Sequence, residues 1–417
     1  MIKAAARPME SSSFLMSKKR DILMKRAARF FTSTHPVTRR EGEGRPLVVS
    51  RRWVPRGAGT SLLLYELFRH FPDDSVRVVC GPGLRPHTEL THPFETHRLT
   101  LKPADRGLTF LTNKAAEVCI PIIREYLRHC VRMERPRTIF AHYPDAAFLI
   151  PAADVAAEFD IPLVIYFDAV WKGNTDGRLS PAHESRIVRQ AQRRFSLTEA
   201  FCQDLEDQHG VPWEPLPHVF LLPEEMERPS EKARHQRVHF AGGVYPLMNT
   251  DSMTRLHDAL KTLDDPPTFQ VLGNNPPDVL SKAGLTGPLI ETGLVPREEM
   301  FGIQRSSEIL YLPAAFHSDW PDFLKSNFPT KALEYMVAGR PILVHGPKGF
   351  YLTELAREHE FALVVDEPDV IALAKAVERL RTDKALVERI THNALEFAKS
   401  RDGIKWSQML QGALGLP

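Results

Sequence analysis

The chain has 417 residues, 43% of them apolar and 25% charged, with a formal net charge of +2. That length exceeds one ordinary core and favours two domains plus tails. No window approaches the roughly 18 consecutive apolar residues of a membrane-spanning helix. The four cysteines (Cys80, Cys119, Cys130, Cys202) form no C-x-x-C pair, which reads as the reduced, buried thiols of a cytoplasmic protein.

The near-neutral total hides an asymmetry. Residues 1–40 carry ten Lys or Arg against Glu10 and Asp21, so the first 40 sum to +8 and the remaining 377 to −6. An acidic body argues against a nucleic-acid partner. In the tail, Phe14, Leu15, Ile22, Leu23, Phe30 and Phe31 alternate with Lys and Arg. Such a stretch over 14–31 suits either a peripheral contact with an anionic membrane surface or a solvated, flexible tail. It lacks the continuous apolar region of a signal peptide.

From residue 45 short apolar strands alternate with amphipathic helices. Strands are predicted at 46–50, 76–81, 137–142, 161–170 and 193–198, and helices at 61–71, 112–133, 145–158 and 182–192, with Pro121 kinking or breaking the second helix. The charged, Pro-containing segment 218–236 reads as a linker. Beyond it, strands are predicted at 237–243, 269–275, 288–293, 308–313, 340–346 and 361–366, and helices at 250–263, 296–304, 328–339, 368–381 and 383–414. Nearly all-apolar strands separated by helices indicate parallel sheets covered on both faces. The expected layout is a basic tail (1–40), two Rossmann-like domains (41–222 and 223–400), and a C-terminal helix (401–417) able to cross back to the first domain. Ligands then belong at the carboxyl ends of the strands, in the cleft between the two halves.

Several chemistries are excluded. The sequence contains no H-E-x-x-H, Walker loop, G-x-S-x-G or D-x-D. His87, His92 and His97 are spaced like metal ligands, but no cysteine or acidic cluster completes them, and the stretch reads as a polar surface loop. Gly57-Ala58-Gly59-Thr60 opens a helix, where its amides either face an anion or simply cap a tight turn. A nicotinamide site is disfavoured, because Arg51 to Arg56 separate these glycines from the strand and no acid ends the next one.

The informative stretch is Ser326 to Val344: a loop, a helix with Pro329 in its first turn, the glycine stop Gly339 and a strand. Free amides beside Lys331 suit a diphosphate, and Glu334 one turn on either accepts from a vicinal diol or is an exposed helix residue. The stretch resembles the donor-site signature of the retaining glycosyltransferases of family four, which adopt the α/β GT-B fold. Phe328, Glu334, Gly339, Pro341 and Ile342 fall in register, whereas Ser326 stands where the family has a first Glu, and Asn327 and Pro329 replace its two glycines.

The resemblance implies that Glu334 holds the donor ribose and that Ser326, Asn327, Phe328, Thr330 and Lys331 lie against sugar and phosphates, with Gly243 in the first turn of the donor domain. There Val244 and Asn249 occupy the places of the usual basic residues. On the acceptor side, Gly57, Gly59 and Thr60 resemble the family's opening turn, and Asp168 matches the Asp of a His-Asp strand end in which Phe167 replaces the His. His142, at a neighbouring strand end, is either a core histidine or the other catalytic candidate. The implied reaction is metal-independent, retaining transfer from a nucleotide-diphosphate sugar to a glycan or lipid-linked acceptor, with no cofactor. Two competitors stay open: a catalytically silent relative serving as an interaction module, and a sugar-nucleotide epimerase of the same fold.

Overall fold

The computed structural model describes residues 44–53, 59–81, 92–99, 113–143, 146–168, 180–219, 235–319 and 321–417. The basic tail, Gly57 and His87 lie outside them. The strands are short, and most are apolar runs, because a parallel strand inside a sheet is buried on both faces. In the first half these are β1 (Leu47–Ser50), β2 (Arg77–Cys80), β3 (Glu95–Arg98), β4 (Ile139–Tyr143), β5 (Leu163–Phe167), β6 (Arg193–Ser196) and β7 (Glu214–Pro215). They make one parallel sheet in the order β3-β2-β1-β4-β5-β6-β7. The second half repeats the plan with β8 (His235–Ala241), β9 (Thr268–Leu272), β10 (Ile290–Gly293), β11 (Ser307–Pro313), β12 (Ile342–His345) and β13 (Leu363–Val365). Their order is β10-β9-β8-β11-β12-β13, again all parallel.

Helices cover both faces of each sheet. In the second half, Val238, Phe269, Ile309 and Tyr311 pack with one set of helices, while Leu310, Leu312, Ile342 and Val344 pack with the other. The last helix, Gly403–Ala413, belongs to the opposite half. Leu410 and Leu414 join the first core, Gln411 Nε2 donates to His70 O at 3.2 Å, and Thr138 Oγ1 donates to Leu414 O at 3.2 Å.

Two details depart from the sequence reading. Asn113–Glu134 is one uninterrupted helix with Pro121 inside it. An exposed proline at that position removes a single hydrogen bond, and the helix bridges the gap through its packing on the neighbouring helix Ala146–Glu158. The second concerns the His92–His97 segment, expected as a polar surface loop. Its end is the edge strand β3, and His97 is buried, with Nε2 3.2 Å from Glu95 Oε1 and Nδ1 2.6 Å from the Tyr126 hydroxyl. Arg77, buried at the start of β2, pairs with both Glu95 and Glu134. The half-buried polar strand is therefore held in an ion network, where its charges are paired. Among the described residues no group of three or more His, Cys, Asp or Glu is placed to hold a metal ion, and no helix is long and apolar enough to cross a membrane.

Leu410 tests the return of the chain to the first half. Leu410→Ala deletes a fully buried side chain there. It should cost about 2–4 kcal/mol, read in denaturant unfolding as an earlier transition of the first domain.

Candidate functional site

Both sheets reverse their strand order once, between β1 and β4 and between β8 and β11. Loops diverge at such points and leave a crevice at the carboxyl ends of the strands. The two crevices hold most of the residues singled out from the sequence.

In the first half, Ser50 ends β1, His142 lies in β4, Asp168 follows β5, and Thr60 opens the helix Thr60–Phe68. Ser50 Oγ is 3.2 Å from His142 Nδ1, and His142 Nε2 is 3.3 Å from Asp168 Oδ2. Thr60 Oγ1 donates to the same oxygen at 2.6 Å. Burial works to raise the Asp168 carboxyl, but the His142 ring, the Thr60 hydroxyl and the Arg52 charge outweigh it and hold the group below the usual carboxylate range. Asp168 Oδ1 is buried and has no hydrogen-bond partner among the described residues. Asp168 therefore keeps an anionic oxygen with unused acceptor capacity at the carboxyl end of β5. The Ser-His-Asp order is not a nucleophile triad, because Ser50 is fully buried and its hydroxyl also serves Arg52 O at 3.1 Å.

Gly59, just before Thr60, has φ 57°, a left-handed conformation that favours glycine. His218, unmarked in the sequence reading, is buried after β7 close enough to feel the Asp168 charge. Burial pushes its imidazole down to about 4, so it is neutral at neutral pH. Its only sequence signal is a lone histidine after a proline.

In the second half, β8 runs into Gly242-Gly243. Asn275 Nδ2 donates to Gly242 O at 3.0 Å, and Asn275 Oδ1 accepts from Val244 N at 2.8 Å. Asn249 Nδ2 donates to Gly243 O at 3.0 Å, and Asn249 Oδ1 accepts from Tyr245 N at 3.0 Å. Two asparagines thus hold the glycine turn, and Val244 is buried. Neither Val244 nor Asn249 supplies the charge that its position carries in the resembled family.

Lys331 lies against the same turn. It begins the helix Lys331–Ala338, with Nζ 3.8 Å from the Phe240 ring centre. Gly242 has φ 137°, a conformation that side chains rarely adopt, and a methyl group built there would meet Nζ at 2.7 Å and push the lysine end aside. Burial lowers the Lys331 amine to about 7, with Glu334 pulling the other way. Thr330, at the cap position, makes no side-chain hydrogen bond to the helix. Ala332 N already donates to Pro329 O at 2.9 Å, so the amine stands at a helix start whose other first-turn amides are the ones an anion would find, a setting that favours negative charge.

Glu334, half-buried one turn on, accepts from Gln304 Nε2 at 3.3 Å. Tyr335 turns inward, where its hydroxyl accepts from Ala241 N at 2.8 Å and ties the helix to the end of β8. Asn327 is half-buried, but Phe328 is a core residue whose ring lies 6.4 Å from those of Tyr351 and Phe397. Ser326 is buried, with Oγ donating to Asp322 O at 3.3 Å. Phe328 and Ser326 therefore fix the loop from inside rather than line it. A surface groove along β13, lined by Leu363 to Asp366, Lys375 and Arg379, contains none of these residues.

Residues 235–383 match the family model of glycosyl transferases group 1. No curated protein sequence matches the chain. Solved structures do resemble it. HepE of Anabaena, solved with UDP and glucose, superposes with a TM-score of 0.64 over 89% of this chain and 100% of its own, at 16% identity. Sucrose-phosphate synthase of Thermosynechococcus elongatus gives 0.63 over 88% and 98%, at 13% identity. Trehalose 6-phosphate synthase of Burkholderia multivorans gives 0.63 over 89% and 98%, at 13% identity. The fold is accordingly GT-B: two parallel α/β domains facing each other across a cleft.

Thr60→Val tests the Asp168 arrangement. Losing a hydrogen bond to a charged group costs about 1.5–3 kcal/mol. A carboxyl whose folded pKa is depressed stabilises the fold above its unfolded pKa and loses that contribution as pH falls through the folded value. Denaturant unfolding should therefore show the full penalty at pH 7 and a smaller one in strong acid.

Proposed function

We propose that the chain is a glycosyltransferase that moves a sugar from UDP to an acceptor hydroxyl, with retention at the anomeric carbon. The observation that carries this is the Lys331 amine, closed in by Gly242 and Phe240 at a helix start, with Glu334 one turn away on the same helix. A diphosphate fits the first and a ribose diol the second. The glycosyl transferases group 1 match spans all of these residues. HepE, with the same fold, is solved with UDP and with UDP-glucose, which supports uridine as the donor base.

On this reading Lys331 and the helix start stabilise the charge that develops on the departing diphosphate. Electrostatic positioning of that kind requires no metal ion. The diphosphate oxygen takes the acceptor proton on the same face of the sugar. Asp168 Oδ1, with His142 behind it, accepts a hydrogen bond from a sugar hydroxyl on the first-domain side and orients it. Domain closure excludes water from the cleft. The acceptor is a glycan or a lipid-linked glycan. Ser326, where the resembled family has a carboxylate, leaves the donor sugar to be recognised by groups other than its own side chain.

The burial of Ser326 is also what a catalytically silent relative would show. Turnover decides between the two. The chain should consume a UDP-sugar in the presence of an acceptor, and proton NMR of the product should show the donor's anomeric configuration. Inversion would remove the retention claim, and UDP binding without turnover would favour the silent relative. Glu334→Ala should weaken UDP binding by roughly tenfold to a hundredfold in calorimetry. An unchanged affinity would contradict the ribose assignment.

A further inference from the structure

The two domains meet at the start of one helix. Thr198 caps the helix Glu199–His209 of the first domain, accepting from Phe201 N at 3.1 Å. The same hydroxyl donates its proton to Ser326 O at 3.0 Å, across to the second domain. Thr198 and Ser326 are both buried, so this bond is shielded from water. The next residue reaches the same loop by a second route. Glu199 accepts from the Tyr351 hydroxyl and lies 3.6 Å from Arg401 Nη1. Tyr351 packs edge-on against Phe328, whose ring also faces Phe397 beneath the Arg401 guanidinium.

Ser326 and Phe328 bracket the loop that leads into Lys331. Both are thus held by consecutive residues of the opposite domain, one directly and one through Tyr351. We propose that Thr198 is a positioning residue of the donor site: its hydroxyl, carried by the first domain, fixes the loop that sets Lys331 and Glu334. Loop placement then depends on how the domains sit, so closing the cleft and ordering the donor site are one event. The proposal rests on the donor reading above for its ligand and on the interdomain bond for its geometry.

Thr198→Asp separates the two duties of the side chain. Aspartate caps a helix as well as threonine does, but an ionised carboxylate has no proton to give Ser326 O. Thr198→Ser keeps both duties. Two readouts are needed on the full chain: UDP affinity by calorimetry, and the rate of tryptic cleavage after Lys325, which is exposed beside the loop.

T198D should bind UDP about tenfold more weakly and be cut faster, while T198S matches wild type in both. Wild-type behaviour of T198D in either readout overturns the proposal, as does a T198S variant as impaired as T198D. Tyr351→Phe removes the hydroxyl bond to Glu199 and leaves the ring on Phe328. It too should weaken UDP binding and speed cleavage, and an unchanged Y351F contradicts the clasp even where T198D fails to fold. A wild-type chain that binds no UDP defeats the donor reading instead. The cleavage rates of the same variants then decide the clasp alone.

Discussion

The second domain is organised around an amine held away from water without full compensation. Lys331 lies against Phe240 and Gly242, and burial takes its amine down to about 7. A structural lysine would instead be extended into solvent or closely paired. Keeping this one half-buried fixes several neighbours. A side chain at Gly242 would displace the amine, Asn249 and Asn275 hold the turn, and Tyr335 docks the helix on the end of β8. A phosphate placed there would return the charge that burial opposes.

The first domain presents the complementary arrangement, an anion rather than a cation. Asp168 is kept ionised by His142 and Thr60 while one of its oxygens has no partner among the described residues. On the proposed reading, a diphosphate is held from one side of the cleft and hydroxyl groups are oriented from the other. Neither set is complete alone, which gives physical weight to the contacts between domains at Thr198, Glu199 and Tyr351. The C-terminal helix adds a covalent link, because it leaves the second domain and packs on the first through Leu410 and Leu414.

Much of the fold was legible because parallel strands buried on both faces are written as apolar runs, and β1, β4, β5, β11 and β12 were all found that way. β3 was not, since its half-buried Glu-Thr-His-Arg sequence is held by ion pairing with Arg77 rather than by apolar contact. The helices Glu199–His209 and Tyr351–Glu358 were also passed over. In the site, Lys331 and Glu334 stood out because a helix start and a one-turn spacing are local features. Phe328 and Ser326 also matched a local pattern, but their inward orientation depends on Phe397 and on Thr198, 128 residues away in the case of Ser326. His218 illustrates the same limit, since its nearness to Asp168 comes from the order of strands.

The central claim is that the Lys331 amine receives a diphosphate, and proton uptake tests it most directly. A free amine at about 7 is mostly neutral at pH 8, and a bound diphosphate raises it. Calorimetry of UDP binding at pH 8, in buffers of different ionisation enthalpy, should therefore register uptake of close to one proton. Affinity should be highest below pH 7 and fall as pH rises past it, and Lys331→Met should abolish both the uptake and this dependence. UDP binding with no proton uptake at pH 8, or uptake that persists in the methionine variant, would contradict the account.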